Sequence, residues 1–199
     1  MKRWIEEKTG SIVAVWDLFT DPIPDILQGD MLYIDPPWDI VWLKKFNIMA
    51  GKEIRVGFEE YLSRLFQIID HINPQVLYME WSVSERNAWR DRVIQEISKR
   101  FKVVQRWRIR YGARPNMVIR GGARPINIDI TGVDDNIVPY KVISHERPKR
   151  VVDFVAGLGA TGLGAWRCRI PFVCTDINEK RLARLIESIE KKGGRFKNA

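Results

Sequence analysis

The chain has 199 residues, 45% of them hydrophobic and 29% charged, which suits a single domain with its own core and excludes a disordered tail. Its longest uninterrupted apolar run is five residues, Ile12 to Trp16, against about 20 for a membrane span and at least about 7 for the core of a signal peptide. A soluble, intracellular, cytoplasmic protein with no membrane partner is therefore expected. The 33 Lys and Arg exceed the 25 Asp and Glu, and the net charge of +8 favours a polyanionic partner.

In chain order, the first strong pattern is Met31-Leu32-Tyr33-Ile34-Asp35, an apolar strand that Pro36-Pro37 must end, because prolines cannot donate to a central ladder. Phe58, Tyr61, Leu62, Leu65, Phe66, Ile69 and Ile72 recur at three and four and predict one face of a helix. Val76 to Glu80 is a second short strand. Ser82 and Glu85 are spaced as a capping box, so a helix is expected over 82–101, with Trp89, Val93, Ile94, Ile97 and Phe101 on one side. From Val103 to Ile130 the period becomes two, broken by Gly-Ala-Arg-Pro at 112–115 and again at 122–125, which predicts a hairpin or meander.

The last third opens on a strand at 151–153. A glycine-rich turn then enters a helix near 160–168, a strand at 171–175 ends on Asp176, and a helix capped by Asn178 carries Leu182, Leu185, Ile186 and Ile189. Lys191 to Ala199 reads as a frayed basic tail. Strands alternating with helices at both ends of the chain predict an α/β doubly wound sheet. No linker divides it, so 1–199 is expected to be one domain, with 100–148 a basic, β-rich elaboration. Cys168 and Cys174 fit neither a disulfide framework nor a metal clip and read as small buried hydrophobes. No metal site is expected.

Open α/β sheets bind ligands at the carboxyl ends of their strands, where this chain carries Asp35, Asp153 and Asp176. The stretch Asp153-Phe-Val-Ala-Gly157-Leu-Gly159-Ala-Thr161-Gly162 supplies a tight turn for close backbone approach, and Asp176 is placed to accept from ribose hydroxyls. Gly157, Gly159 and Gly162 also satisfy G-x-G-x-x-G, and a glycine turn needed only for packing would look the same. Only 37 residues follow Gly162, too few to build a second mononucleotide-binding half in sequence order.

Asp35-Pro36-Pro37-Trp38 decides between these readings. The sequence resembles the amino-group methyltransferases that use S-adenosylmethionine, whose catalytic motif is D-P-P-Y/F/W and whose cofactor motif is similar to D-P-F-A-G-S-G-T-T. With the catalytic motif first, the order looks like the circularly permuted β group of DNA N6-adenine and N4-cytosine methyltransferases, which implies a Rossmann-like fold. The resemblance covers roughly residues 15–40 and 145–190 and is thin between them. It implies S-adenosylmethionine as cofactor, held by Asp153, Val155, Ala156, Gly157, Gly159, Thr161 and Gly162, with Asp176 on the ribose and Asp17 at the adenine. Phe154-Val155 departs from the family's Pro-Phe, and Ala160 replaces a hydroxyl residue. His145, with Lys149, stands where the family holds the methionine end, but it runs straight into the strand, so the helix that normally follows is expected to be missing.

The chemistry of such a site is legible. The exocyclic amine of adenine is a poor nucleophile, and two acceptors, the Asp35 carboxylate and the Pro36 carbonyl, would take its N–H groups and favour a pyramidal nitrogen. Pro36 and Pro37 stiffen the loop, and Trp38 would stack on a flipped base. Between Arg100 and Arg124 lie eight basic residues and no acidic one. In a strand, Arg106, Arg108 and Arg110 share one face and Trp107, Ile109 and Tyr111 the other. With Arg114 and Arg124 they are candidate phosphate contacts, as are Lys44, Lys45, Lys52 and Arg55 in the loop after the catalytic motif.

The expected activity is methyl transfer to adenine N6 in double-stranded DNA, with a short target and a homodimer or partner subunit completing the grip. Cytosine-N4 and RNA substrates stay open, as does a non-catalytic nucleic-acid-binding subunit. Protein glutamine methylation fits less well, since those enzymes carry Asn where Asp35 stands.

Overall fold

The computed structural model describes residues 1–53, 56–84 and 86–199. Its strands are β1 (Arg3–Glu6), β2 (Ile12–Val15), β3 (Met31–Ile34), β4 (Val76–Trp81), β5 (Val103–Tyr111), β6 (Arg114–Gly122), β7 (Val151–Asp153), β8 (Phe172–Asp176) and β9 (Phe196–Asn198). Its helices are α1 (Ile40–Met49), α2 (Phe58–Ile72), α3 (Arg90–Arg100), α4 (Val138–Glu146), α5 (Ala160–Arg167) and α6 (Glu179–Glu190).

The described strands join in one mixed sheet of order β5-β6-β4-β3-β7-β8-β2-β1-β9. Five central strands, β4-β3-β7-β8-β2, run parallel, and antiparallel pairs flank them, β6 and β5 on one side and β1 and β9 on the other. The parallel strands read as continuous apolar runs because both of their faces are covered. On one face Leu32, Ile34, Leu77 and Met79 meet Tyr61, Leu62, Leu65 and Ile69 of α2 and Val93 and Ile97 of α3. On the other, Met31, Tyr33, Tyr78 and Val151 meet Val142 of α4, Ala165 of α5 and Leu182 and Leu185 of α6. This is the doubly wound arrangement expected from the sequence.

Several expectations need correction. The helix expected over 82–101 starts only at Arg90. Asn87 holds the chain out of it: its Nδ2 donates to the carbonyl of Trp38, and its Oδ1 accepts from the Trp89 N–H and the Trp81 indole. Ser82 Oγ accepts instead from the Ser84 amide; Glu85, the other half of the expected capping box, lies outside the described residues. The segment after Pro37 is no loop but α1, whose N-cap Asp39 accepts from the amides of Val41 and Trp42. The frayed tail is in part β9, paired with β1. No helix stands between Lys149 and β7, as expected, but His145 itself lies in a helix, α4, that the sequence pattern did not announce.

The basic 100–148 segment is built into the sheet. β6 pairs with β4, and residues around 132–135 add to the edge of β5, where the amides of Arg110 and Asp135 bond the carbonyls of Val133 and Arg110. Arg120, counted among the basic residues, is buried. Its guanidinium pairs with Glu146 at 2.7 Å, and the Tyr78 hydroxyl bonds the same carboxylate, tying β6 and β4 to α4.

Candidate active site

Parallel strands bring their carboxyl ends to one side, and there the structure opens a cavity lined by Asp17 after β2, Asp35 and Pro37 after β3, Glu80 of β4, Asp153 of β7 and Asp176 of β8. Val155, Ala156, Gly157, Leu158, Ala160 and Thr161 line it from the glycine turn. Leu43, Phe46 and Asn47 of α1 close one side, with Trp16, Leu18, Phe19, Tyr61 and Ile177 as further apolar walls. The hydroxyl of Tyr61 is buried there with no hydrogen-bond partner among the described residues.

The glycine turn divides into two jobs. Gly157 has φ of +53°, lines the cavity and donates its N–H to Asp176 Oδ2 at 2.8 Å. Gly159 and Gly162 do not line the cavity; a Cβ on either would lie within 3.0 Å of Leu185, and on Gly162 also of Cys174 Sγ, so they let α5 approach α6 and the sheet.

The carboxylates are held for different ends. Asp153, 3% exposed, accepts from the Val155 amide and from Thr161. Burial outweighs those bonds and pushes its pKa up to about 7, with Asp176 and Asp35 adding repulsion. Asp176 is also raised by burial, against the amides of Asn178 and Gly157 and the guanidinium of Arg181. Asp17 accepts from the Phe19 amide, and its other oxygen is 3.7 Å from Lys52.

Asp35 sits deep in surrounding protein, which pushes its pKa up to about 7, with Asp135 adding repulsion while Trp38 and Arg181 pull it down. Water still reaches the carboxylate through the cavity. That solvent tempers the effect of burial, and a ligand filling the cavity would enforce it.

The remaining expectations sort by position. Trp38 does not line the cavity; its indole N–H donates to Asp35 Oδ1 at 3.3 Å, and its ring meets Tyr111 edge-on at 6.0 Å. Pro36 is buried behind it. His145 is exposed on the last turn of α4 and is not part of the cavity, so its expected contact with a cofactor is not supported. Asp135 and Asn136, before α4, and Pro139 in its first turn line the cavity.

Arg106, Arg108 and Arg110 are exposed on one face of β5 as expected, while Ile109 packs inward. Arg110 also donates to the Gly132 carbonyl. Arg114 stands at the hairpin tip opposite Tyr111, on the cavity side, whereas Arg124 follows the far end of β6 and belongs to the opposite side of the sheet. Lys44 and Lys45 are exposed on α1, Lys45 over the Trp42 ring. Arg55 lies outside the described residues.

Glu80, Tyr111, Asp135 and Arg181 are cavity residues that the sequence reading did not single out. The one signal for Glu80 was that its strand ends beside that of Asp35. Arg181, whose guanidinium covers the Phe46 ring at 4.9 Å, looks in sequence like any surface arginine of a helix.

No protein-family model and no curated protein sequence matches the chain. Solved structures do. TTHA0409 of Thermus thermophilus, described as a DNA modification methylase, aligns with a TM-score of 0.60 at 12% identity over 90% of this chain and 94% of that one. M1.HpyAVI aligns at 0.56 and 14% over 89% and 97%. The PvuII DNA methyltransferase, specific for cytosine N4, aligns at 0.53 and 11% over 86% and 83%. The chain has the DNA-methyltransferase fold. TTHA0409 and M1.HpyAVI have both been crystallised with S-adenosylmethionine. In this chain the methyltransferase fold places the Asp35 strand, β3, beside β7, which carries the glycine turn.

Proposed function

We propose that the protein is an S-adenosylmethionine-dependent methyltransferase acting on the exocyclic N6 amine of adenine in DNA, its 199 residues forming one methyltransferase domain with permuted motif order. The observation that carries this reading is the shared cavity: Asp35 and Pro37 and the Gly157–Asp176 pair open onto the same space from neighbouring strand ends.

The donor set fits this cofactor. Among the described residues, six acidic side chains, those of Asp17, Asp35, Glu80, Asp135, Asp153 and Asp176, line the cavity against one cation, Arg181. In a chain of net charge +8 this is a locally acidic site, which attracts a cationic ligand and repels the pyrophosphate of a nicotinamide dinucleotide. S-adenosylmethionine, when bound, supplies an electrophilic methyl group on positively charged sulfur. Asp176 would take the ribose hydroxyls and Asp17 the adenine amine, with Leu18, Phe19 and Ile177 as apolar contacts. Asp135 and Asn136 would serve the methionine end in place of His145.

Asp35 accepts one N–H of the target amine and the carbonyl of Pro36 the other, which localises the nitrogen lone pair for attack. After methyl transfer the nitrogen is cationic, and its N–H bond breaks as an O–H bond forms on Asp35. A carboxylate with a pKa pushed up to about 7 suits that acceptance near neutral pH. Tyr111 lines the cavity and would hold a flipped base, with Trp38 packed edge-on against its ring outside the cavity. Arg106, Arg108 and Arg110, with Arg114, Lys44 and Lys45, engage phosphates.

Mass spectrometry of nucleosides tests the reading, after incubating unmethylated DNA and, in parallel, RNA with protein and S-adenosylmethionine. N6-methyladenine in DNA is expected. N4-methylcytosine, as the specificity of the PvuII neighbour suggests for a relative of this fold, or methylated RNA would keep the mechanism and change the substrate.

A further inference from the structure

One residue past the last paired position of β3 and β4, Ile34 with Met79, Asp35 and Glu80 stand side by side on adjacent parallel strands. Neighbouring strands lie about 5 Å apart. Both side chains line the same cavity, yet their surroundings differ. Water reaches Asp35, whereas Glu80 is 3% exposed. The Tyr33 hydroxyl donates to Glu80 Oε1 at 2.7 Å, and the Asn116 amide donates to Oε2 at 3.0 Å.

The charges facing Glu80 are Asp35 from β3 and Asp135 from the segment beside β5. Tyr33 and Asn116 are neutral, and no cation bonds to Glu80 among the described residues. Burial first, and then Asp35, raise its pKa well above the ordinary carboxyl range. Two adjacent carboxyls resist carrying charge together, so Asp35, which water reaches, takes the negative charge and the buried Glu80 keeps a proton.

A neutral carboxyl has one O–H to donate. With the Tyr33 hydroxyl donating to one oxygen and the Asn116 amide to the other, the Glu80 proton is left to turn towards an acceptor in the cavity that this carboxyl lines.

Resting on the methyltransferase reading, we propose that neutral Glu80 donates a hydrogen bond to the ring nitrogen next to the target amine, while Asp35 accepts from the amine itself. Adenine N1 beside N6, and cytosine N3 beside N4, both present this acceptor next to a donor. Guanine N1 and thymine N3 carry hydrogen and would meet the Glu80 proton head-on. Glu80 is thus a specificity residue, admitting amino-bearing bases with an unprotonated neighbouring ring nitrogen. A carboxylic acid kept neutral in an apolar site for the sake of its donor is a known device of active sites.

The test is a cycle between the residue and the base atom. Oligonucleotides carrying adenine or 1-deazaadenine, which has C–H in place of N1, are compared for equilibrium binding and for kcat/KM. Wild-type protein is expected to disfavour 1-deazaadenine by roughly 10- to 100-fold. Glu80→Gln, whose amide N–H still donates, keeps most of that ratio, and Glu80→Leu brings it close to one. A general weakening of the fold would lower both substrates equally and leave the ratio intact.

An infrared difference spectrum of wild type minus Glu80→Gln at pH 7 should in addition show the C=O stretch of a protonated carboxylic acid. Equal ratios in wild type and Glu80→Leu, or a carboxylate band in place of the acid band, overturn the inference. If wild type transfers no methyl group, the methyltransferase reading fails on that result alone, while binding and infrared still decide the state and contact of Glu80.

Discussion

Asp153 shows how a single buried carboxyl couples stability to function. Its folded pKa, pushed up to about 7 by burial, exceeds the value near 4 of an unfolded Asp. The folded state therefore binds the proton more tightly. Its stability is fullest below about pH 4 and falls as pH rises through 7. Asp153→Asn mimics the neutral form, and its amide oxygen can still accept from Val155. The variant should match wild type in thermal unfolding near pH 4 and exceed it near pH 8, by on the order of 2–4 kcal/mol, while binding S-adenosylmethionine more weakly. A variant less stable than wild type at pH 8 would contradict this reading of the site. Asp35, Asp153 and Asp176 were legible because each ends a short apolar run beside loop-forming residues. Glu80 and Arg120 were not: in sequence a charged residue in a strand looks like a solvated position, and only the pairing of β4 and β6 and the packing of α4 bury them. Asp135 was missed for a related reason, since the segment that carries it is placed by backbone bonds to Arg110.

At the scale of elements, strongly periodic segments were read correctly. α2 buries each residue expected on its face, and Asn178 caps α6 through the amides of Lys180 and Arg181. The errors fall where a distant partner overrides local pattern. Four-residue β2 is ordered by parallel pairing with β8, and β9 by β1 across the length of the chain. Asn87 is tied to the carbonyl of Trp38 and costs α3 its first turns. In the glycine turn Gly157 faces the cavity, while Gly159 and Gly162 serve packing. The β5–β6 hairpin carries a directional prediction. Replacing Arg106 and Arg108 together with Gln should lower the slope of log affinity for DNA against log salt by about 1–2 and leave kcat at saturating DNA unchanged. Arg124→Gln, at the opposite end of the sheet, should leave the slope as it is. Equal effects from the two variants would move the nucleic acid to another face.

For the whole molecule, the distribution of charge matters more than its total. A protein of net charge +8 gathers six acidic side chains around one cavity and sets arginines along the outer face of the neighbouring edge strand. That separation suits a polyanion outside and a cationic cofactor inside. No helix among the described residues is long and apolar enough to cross a membrane. The most direct measurement is transfer of a labelled methyl group from S-adenosylmethionine to DNA by wild type and by Asp35→Ala, with cofactor affinity measured on both by calorimetry. Wild type should label DNA, and the variant should lose transfer by at least about 10³-fold with cofactor affinity changed only a few-fold. Near-normal transfer by Asp35→Ala, or no labelling by a wild-type protein that binds the cofactor, would contradict the account.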